Sequence, residues 1–315
     1  MYKIHFGPLQ GFTNHTYRRL HKKYFGGVDK YYSPYLRFEK NKDFKKSSFR
    51  DLLPENNIDI PFVPQVLGSN ADIFIDVAKQ IEEWGYKELN WNLGCPYPMV
   101  TKRGFGSALV AKPDEVRDIL EKVFPKLTVG LSVKCRLGLS DENEIYKLIE
   151  VLNDFEIKEL TVHTRIAKQL YKGKADPLKF VPLIEKSRHK LIYNGDITSV
   201  EEIDKLNKVF GGKQDDFMIG RGLLMNPFLA AEIKGRNFND VEKKKIITNF
   251  HSELFQSYRD SLQASHLLVT MKSQWEYLSF LFEDQRKSYK RIKKAQTIEH
   301  YNDSVEEVLN SKLRG

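Results

Sequence analysis

The sequence predicts an α/β fold: a (β/α)8 TIM barrel followed by a small all-helical C-terminal domain. Three observations carry this expectation. Eight short runs rich in β-branched and aromatic residues alternate with helical patterns between residues 4 and 235. The first run is followed by Gly7-Pro8-Leu9-Gln10-Gly11, which is not the glycine-rich dinucleotide turn that an open doubly wound sheet wants there. After Gly235 the strand patterns stop and only helical ones remain. The expected domains are therefore 1–235 and 236–315, with Gly235-Arg236-Asn237-Phe238-Asn239 as the link and Asn239 as a helix N-cap.

Taken in order, the strands are expected at 4–6, 30–33, 62–67, 88–91, 129–135, 159–163, 191–194 and 216–219. A helix over 14–24 follows the first strand. The stretch after the second has no regular pattern. The helix over 71–84 sets Ile73, Val77, Ile81 and Trp84 on one face, and that over 113–123 begins with Pro113 in its first turn. Over 141–155 the apolar face is Ile145, Leu148, Ile149 and Leu152. Helices over 199–210 and 223–233 complete the barrel series, and 241–262, 267–282 and 286–309 form the C-terminal set.

Composition narrows the function. No apolar run of the 315 residues approaches the ~20 needed to cross a bilayer. Met1-Tyr2-Lys3-Ile4-His5-Phe6 is too polar for a signal peptide, and two cysteines make no disulfide framework, so a cytoplasmic monomer is expected. The formal charge of +9 favours a polyanionic partner, nucleic acid first. The charge is clustered: Arg37, Lys40, Lys42, Lys45, Lys46 and Arg50 follow Tyr31, Tyr32 and Tyr35, while Arg286, Lys287, Lys290, Arg291, Lys293 and Lys294 surround Tyr289. Basic residues interleaved with aromatics suit phosphate contact and base stacking.

The chemistry should sit at the C-terminal strand ends, where barrel enzymes build their sites. These ends supply Pro8, Leu9 and Gln10; Gln65 and Gly68; Asn92 and Cys95; Lys134 and Arg136; His163 and Arg165; Asn194, Gly195 and Asp196; and Gly220, Arg221 and Gly222. The last two groups match the phosphate site that barrels build after strands seven and eight. Cys95 lies in the polar turn Asn92-Leu93-Gly94-Cys95-Pro96, a place for a working thiol, whereas Cys135 alternates away from Lys134 and reads as core. A lysine between Val133 and Cys135 is costly to bury alone, so Lys134 wants an anionic partner. The eight histidines form no metal-ligand pattern, and there is no Walker A motif or Gly-x-Ser-x-Gly elbow.

Together these residues resemble the tRNA-dihydrouridine synthases. The resemblance rests on Asn92-Leu93-Gly94-Cys95-Pro96 with Arg103-Gly104-Phe105-Gly106-Ser107-Ala108-Leu109, on Pro64-Gln65-Val66-Leu67-Gly68, and on Val133-Lys134-Cys135-Arg136-Leu137-Gly138. Val162-His163-Thr164-Arg165, Tyr193-Asn194-Gly195-Asp196-Ile197 and Ile219-Gly220-Arg221-Gly222 complete it, in the family's order and spacing. It implies an FMN-dependent reduction of selected tRNA uridines to 5,6-dihydrouridine, with NADPH as the usual reductant and NADH as the other choice. It also implies Cys95 as the proton donor. Pro8, Leu9, Gln10, Gln65, Lys134, His163, Asn194, Gly195, Asp196, Gly220 and Arg221 fall on FMN-contact positions. Asn92, Arg165 and Tyr171 fall near the RNA, which Lys287, Lys290 and Arg291 of the helical domain would also contact. Leu9, Asn14, Trp91, Thr164 and Ile166 depart from the family's usual pattern without removing a catalytic group.

The residue types suit that chemistry. Hydride addition at C6 of uracil leaves enolate character at C5, which a positioned acid must protonate. A thiol of ordinary pKa, ~8.5, keeps its proton at neutral pH and can serve. A flavin barrel acting on a free pyrimidine, of the dihydroorotate dehydrogenase type, needs no basic helical appendage. A non-catalytic RNA binder on a relict barrel needs no Cys95, Lys134 and His163. Ribosomal RNA stays open as an alternative target.

Overall fold

The computed structural model describes residues 1–38 and 49–314, so Lys40, Lys42, Lys45 and Lys46 of the first basic cluster lie outside the described residues. The strands are β1 (Lys3–Phe6), β2 (Lys30–Tyr32), β3 (Leu36–Arg37), β4 (Phe62–Val63), β5 (Gln65–Leu67), β6 (Glu88–Leu93), β7 (Gly130–Gly138), β8 (Ile157–Ile166), β9 (Lys190–Asn194) and β10 (Asp216–Ile219). They form one sheet in the order β3-β5-β6-β7-β8-β9-β10-β1-β2-β4, with every pair parallel.

That order describes a closed barrel of eight strand positions. β2 and β3 are one position broken at Pro34, and β4 and β5 are another broken at Pro64, because proline has no N–H to give the ladder. On one edge β4 pairs with β2 (Tyr31 with Phe62); on the other β5 pairs with β6 (Gln65 with Asn90). Across the breaks, Ser33 Oγ accepts the Gln65 N–H at 2.8 Å and the Pro64 carbonyl accepts the Asn90 N–H at 2.9 Å. The expected strand positions hold. β6, β7 and β8 run longer than expected, because pairing with neighbours extends a strand past its apolar run.

The helices are α1 (His15–Tyr24), α2 (Ala71–Glu83), α3 (Pro98–Thr101), α4 (Ser107–Val110), α5 (Pro113–Val123), α6 (Glu144–Leu152), α7 (Val181–Lys186), α8 (Val200–Val209), α9 (Arg221–Met225), α10 (Leu229–Ile233), α11 (Asp240–Arg259), α12 (Ala264–Leu278), α13 (Gln285–Lys293) and α14 (Ile298–Asn310). Asn14, Asn70, Ser199 and Asn239 cap their helices through side-chain oxygens. Two expected helices divide. The helix over 223–233 breaks at Asn226-Pro227, since the residue before proline is driven out of the helical region: Asn226 sits at φ −132° and ψ 92°. The helix over 286–309 breaks before Thr297, whose side chain caps α14 on the His300 N–H. The short α3, α4 and α7 have no amphipathic period and gave no sequence signal.

Alternation along the strands sorts the core. On β7, Val133, Cys135 and Leu137 point out into the helix layer, while Ser132, Lys134 and Arg136 point into the barrel. The floor of the barrel is an ion-pair layer: Lys30 bridges Glu88 at 3.1 Å and Glu159 at 2.7 Å, and Lys190 bridges Glu159 at 3.3 Å and Asp216 at 2.8 Å. Above it Tyr32, Val63, Ile192 and Met218 pack as an apolar plug, which leaves the upper end for polar side chains. The C-terminal helices share the barrel's outer core. Phe250 of α11 sits 5.5 Å from Tyr17 and 4.9 Å from Phe25 between ring centroids, and Tyr258 donates to Asn14 at 3.0 Å. Tyr277 of α12 meets Phe12 edge-on at 5.0 Å, over the upper mouth of the barrel.

Candidate active site

The upper mouth holds a cleft of about 210 Å3, open to solvent, lined by Pro8, Leu9, Gln10, Gln65, Asn92, Cys95, Lys134, His163, Tyr171 and Arg221 among others. A smaller recess continues from it between Gly7, Pro8, Asn194, Gly195, Asp196, Gly220 and Arg221. Of the residues expected at the site, the cleft and recess gather Cys95 and every expected cofactor contact.

Cys95 follows the end of β6 and is 5% exposed. Asn92 Oδ1 accepts the N–H groups of Gly94 and Cys95, both at 2.9 Å, and so folds the loop around itself. Ser107 N–H donates to the Cys95 carbonyl at 3.1 Å. Gly106, at φ +59°, has to be glycine: a Cβ there would lie 2.7 Å from the Cys95 carbonyl oxygen. The Cys95 Sγ lies 3.6 Å from the Tyr35 hydroxyl.

Asn92 is the upper end of a one-directional hydrogen-bond chain. Its Nδ2 donates to Gln65 Oε1 at 2.7 Å, Gln65 Nε2 to Asn90 Oδ1 at 2.8 Å, Asn90 Nδ2 to Ser132 Oγ at 2.9 Å, and Ser132 Oγ to Glu88 Oε1 at 2.8 Å. The chain runs from the Cys95 loop to the ion-pair floor. Each amide is oriented by its neighbours, so none can flip without breaking two bonds.

The wall beside it, on β7 and β8, is cationic. Burial, and then Arg136, lower the Lys134 pKa to about 8, and no carboxylate among the described residues pairs with it. Among the described residues, then, no side chain is the anionic partner expected for Lys134. His163 is held neutral, its pKa driven well down by burial first and then by Arg136, Lys134, Arg165 and Arg221. Arg165 Nη1 donates to His163 Nε2 at 3.1 Å. Arginine cannot accept, so Nε2 carries no proton and Nδ1 carries the ring's single N–H. Asn194 Nδ2 is fixed on the Met218 carbonyl at 2.8 Å.

Arg165, expected on the RNA side, is instead 1% exposed beneath the cleft floor. Its guanidinium grips Asp196 at 2.9 and 2.5 Å and the Gly173 carbonyl at 2.7 Å. Asp196 also accepts from Ala175 N–H at 2.9 Å and Arg221 Nη2 at 3.1 Å. These ion pairs keep its carboxylate pKa lowered against the opposing effect of burial. Arg165 and Asp196 therefore tie the two sides of the recess together rather than face solvent. Asn92 lines the cleft, but its amide is spent within the chain described above. Tyr171 is 42% exposed at the rim, and the Arg221 guanidinium lies 4.4 Å above its ring. Lys287, Lys290 and Arg291 lie away from the cleft on α13, lining a groove against α14 with Lys294 and His300; Arg291 is paired with Glu307.

Sequence reasoning named Arg136 at its strand end without a role and Tyr35 only beside the basic cluster, and it left out Phe12, Tyr97 and Tyr277 of the lining and Asn90 and Ser132 of the chain. Arg136 carried a usable signal, two residues beyond Lys134 on the same strand face. Asn90 and Ser132 carried the same signal, two residues before Asn92 and Lys134 on the inward faces of β6 and β7; the aromatic residues carried none, because loops and a distant helix bring them in.

The donor set fits a large planar heteroaromatic cofactor with an anionic tail. Pro8 and Leu9 offer an apolar platform, the Lys134 ammonium and the Gln65 amide offer a polar edge, and the glycine-lined recess with Arg221 suits a phosphate. Among the described residues no group of three His, Cys, Asp or Glu side chains could hold a metal ion, and no helix is long and apolar enough to cross a membrane.

Over residues 5–312 the sequence matches the family model described as Dihydrouridine synthase. It is 29% identical over 269 residues to tRNA-dihydrouridine synthase B of Pasteurella multocida, covering 81% of this chain and 78% of that one. It is 30% identical over 242 residues to the probable tRNA-dihydrouridine synthase 1 of Synechocystis sp., covering 76% and 66%. In fold it resembles histamine dehydrogenase from Rhizobium sp. 4-9, at TM-score 0.56 and 11% identity over 74% of this chain and 45% of that one. It also resembles a 2-naphthoyl-CoA reductase, at TM-score 0.57 and 10% identity over 74% and 50%. At such identities the likeness is one of fold alone.

Proposed function

The chain belongs to the dihydrouridine synthase family of enzymes, and from that premise we propose that it reduces selected uridines in tRNA to 5,6-dihydrouridine, with FMN as cofactor and NADPH or NADH as reductant, in the cytoplasm. The observation that carries this reading is the meeting, in one cleft, of the Cys95 thiol and a Lys134 ammonium that no carboxylate among the described residues pairs.

Lys134, Gln65 and His163 would hold the cofactor's polar edge, and Gly195, Gly220 and Arg221 its phosphate. The chemistry that a bound, reduced flavin would supply is a hydride for C6 of the uracil. Cys95 then gives its thiol proton to C5, the S–H bond breaking as C5–H forms. Lys134 favours negative charge beside it, and its lowered pKa rises again once an anion binds. His163, neutral and with Nδ1–H as its donor, adds a hydrogen bond without adding charge. Arg165 and Asp196 hold His163 and Arg221 in place. Asn92 orients the Cys95 loop, while Tyr171 at the rim is placed to meet the flipped-out base. Residues 236–315 would bind the RNA, with Lys287, Lys290 and Arg291 on its phosphates.

The test is dihydrouridine mapped by mass spectrometry in tRNA and rRNA from a deletion strain. We expect loss at a defined tRNA position, restored by the wild type and not by Cys95→Ala. Purified Cys95→Ala should retain its flavin and its reduction by NADPH while uridine reduction falls by about 10²–10⁴-fold. Loss confined to rRNA would move the target, and flavin loss in Cys95→Ala would give Cys95 a structural role.

A further inference from the structure

Tyr35 stands in the sequence beside a basic cluster, where it reads as a base-stacking residue. The structure places it elsewhere. The Pro34 break between β2 and β3 turns the Tyr35 side chain into the cleft, where it packs with Leu67, Cys95, Val100 and Phe105. Its hydroxyl lies 3.6 Å from the Cys95 Sγ, which has no other hydrogen-bond partner among the described residues. The nearby backbone cannot serve the sulfur, since the Cys95 N–H is committed to Asn92 Oδ1.

We propose that Tyr35 is the positioning residue of the Cys95 acid: its O–H donates to Sγ, aims the thiol proton into the cleft, and stabilises the thiolate left behind. The inference rests on the reading of Cys95 as proton donor. With Sγ accepting from Tyr35, the sulfur's own hydrogen is left to point at the substrate. When that proton moves to C5, the S–H electron pair stays on sulfur and the Tyr35 hydrogen bond becomes a charge-assisted one. Tyr35 does not surrender its proton. Burial and the Cys95 contact hold its phenol well above the ordinary range, so the thiolate is reprotonated from solvent. The other groups facing this sulfur are Tyr97 from its own loop and Lys134 and Arg136 from β7. The Arg136 guanidinium is already spent on the carbonyls of Gly94, Ile166 and Leu170. Lys134 acts through space and is left in place by a change at Tyr35.

The test is the pH dependence of iodoacetamide alkylation of the flavin-loaded full-length enzyme. Cys135 is fully buried, so Cys95 carries the signal, with Cys95→Ala as the blank. In Tyr35→Phe the alkylation midpoint should rise by about 1–2 pH units, the worth of a hydrogen bond to a charged group. Single-turnover uridine reduction should fall tenfold or more, with flavin reduction unchanged. Site-specific 3-fluorotyrosine at position 35, a stronger donor of the same shape, should move the midpoint down and keeps the test available should Tyr35→Phe fold poorly. A midpoint that moves in neither variant overturns the inference while leaving Cys95 as acid. Normal dihydrouridine formation by Cys95→Ala would instead overturn the parent reading, even with the midpoint shifted.

Discussion

Lys134 shows how one residue can be placed for a ligand at the expense of the fold. Its pKa stands at about 8 rather than 10.5, a difference worth at most about 3 kcal/mol. The sign follows from proton counting. Between about pH 8 and 10.5 the unfolded chain binds more protons at this site than the folded one, so stability rises with pH there; below pH 8 the penalty is present in full. Lys134→Met should therefore stabilise the cofactor-free protein at pH 7 by up to about 3 kcal/mol. The gain should shrink toward zero by pH 10.5, and the variant should lose flavin on dilution. Urea unfolding at the two pH values reads this, and an equal effect at both would mean the ammonium is partnered in the fold. Lys134 was legible because a lysine between two apolar neighbours on a strand has only the barrel interior to enter. Arg165 lies deeper than expected for the opposite reason: its partner Asp196 lies 31 residues on, and no local pattern shows that the two meet. Tyr35 sits in a strand break, where side-chain direction follows no period.

Strand β6 works as a unit because three of its inward residues, Glu88, Asn90 and Asn92, belong to the hydrogen-bond chain that ends at the Cys95 loop. Replacing Asn90 with leucine keeps roughly the volume but strands Gln65 Nε2, a buried donor, at a cost of about 1–3 kcal/mol. It also frees Gln65 to turn away from Asn92, which slackens the loop. Asn90→Leu should lower urea stability by that amount. It should also slow uridine reduction by about tenfold or more under conditions where the protein is still folded, since a small misplacement of a reacting group is costly. Stability lost with the rate intact would make the chain scaffolding only. The sequence revealed β6 as an element but not this role, since its polar residues stand where a strand's core face usually is apolar. Elements were legible where one face is apolar at a fixed period, as in α2, α5 and α6. They were misjudged at Pro227 and Thr297, where a local break outweighs a continuing pattern, and at α3 and α4, which are shorter than one period can mark.

At the scale of the molecule the two halves are joined by a shared core and by the cleft itself, since Tyr277 of α12 closes over a mouth built by the barrel. On the proposed reading, a tRNA held by the C-terminal helices would lie at a fixed distance from Cys95, as action at one chosen uridine requires. A net charge of +9 favours a polyanionic substrate, and on the proposed reading the placement of the charge would decide how tRNA docks. On α13 and its C-cap, Lys287, Lys290, Arg291 and Lys294 recur at the i, i+3, i+4, i+7 spacing of one helix face. Arg291 is committed to Glu307, so the three lysines carry the available charge on that face. Each lysine in phosphate contact steepens the salt dependence of binding by about 0.7–0.9 in log–log slope. The triple variant Lys287→Ala, Lys290→Ala, Lys294→Ala should flatten that slope by about 2–3, weaken tRNA binding at low salt, and leave flavin content and its reduction by NADPH unchanged. Arg291→Ala alone should change the slope by less than any one of the lysines, because breaking its pair with Glu307 frees an opposing acid. Filter binding of tRNA across a salt series distinguishes these outcomes. An unchanged slope in the triple variant would place the RNA on another face, and the basic run of α13 would then be a solvated surface.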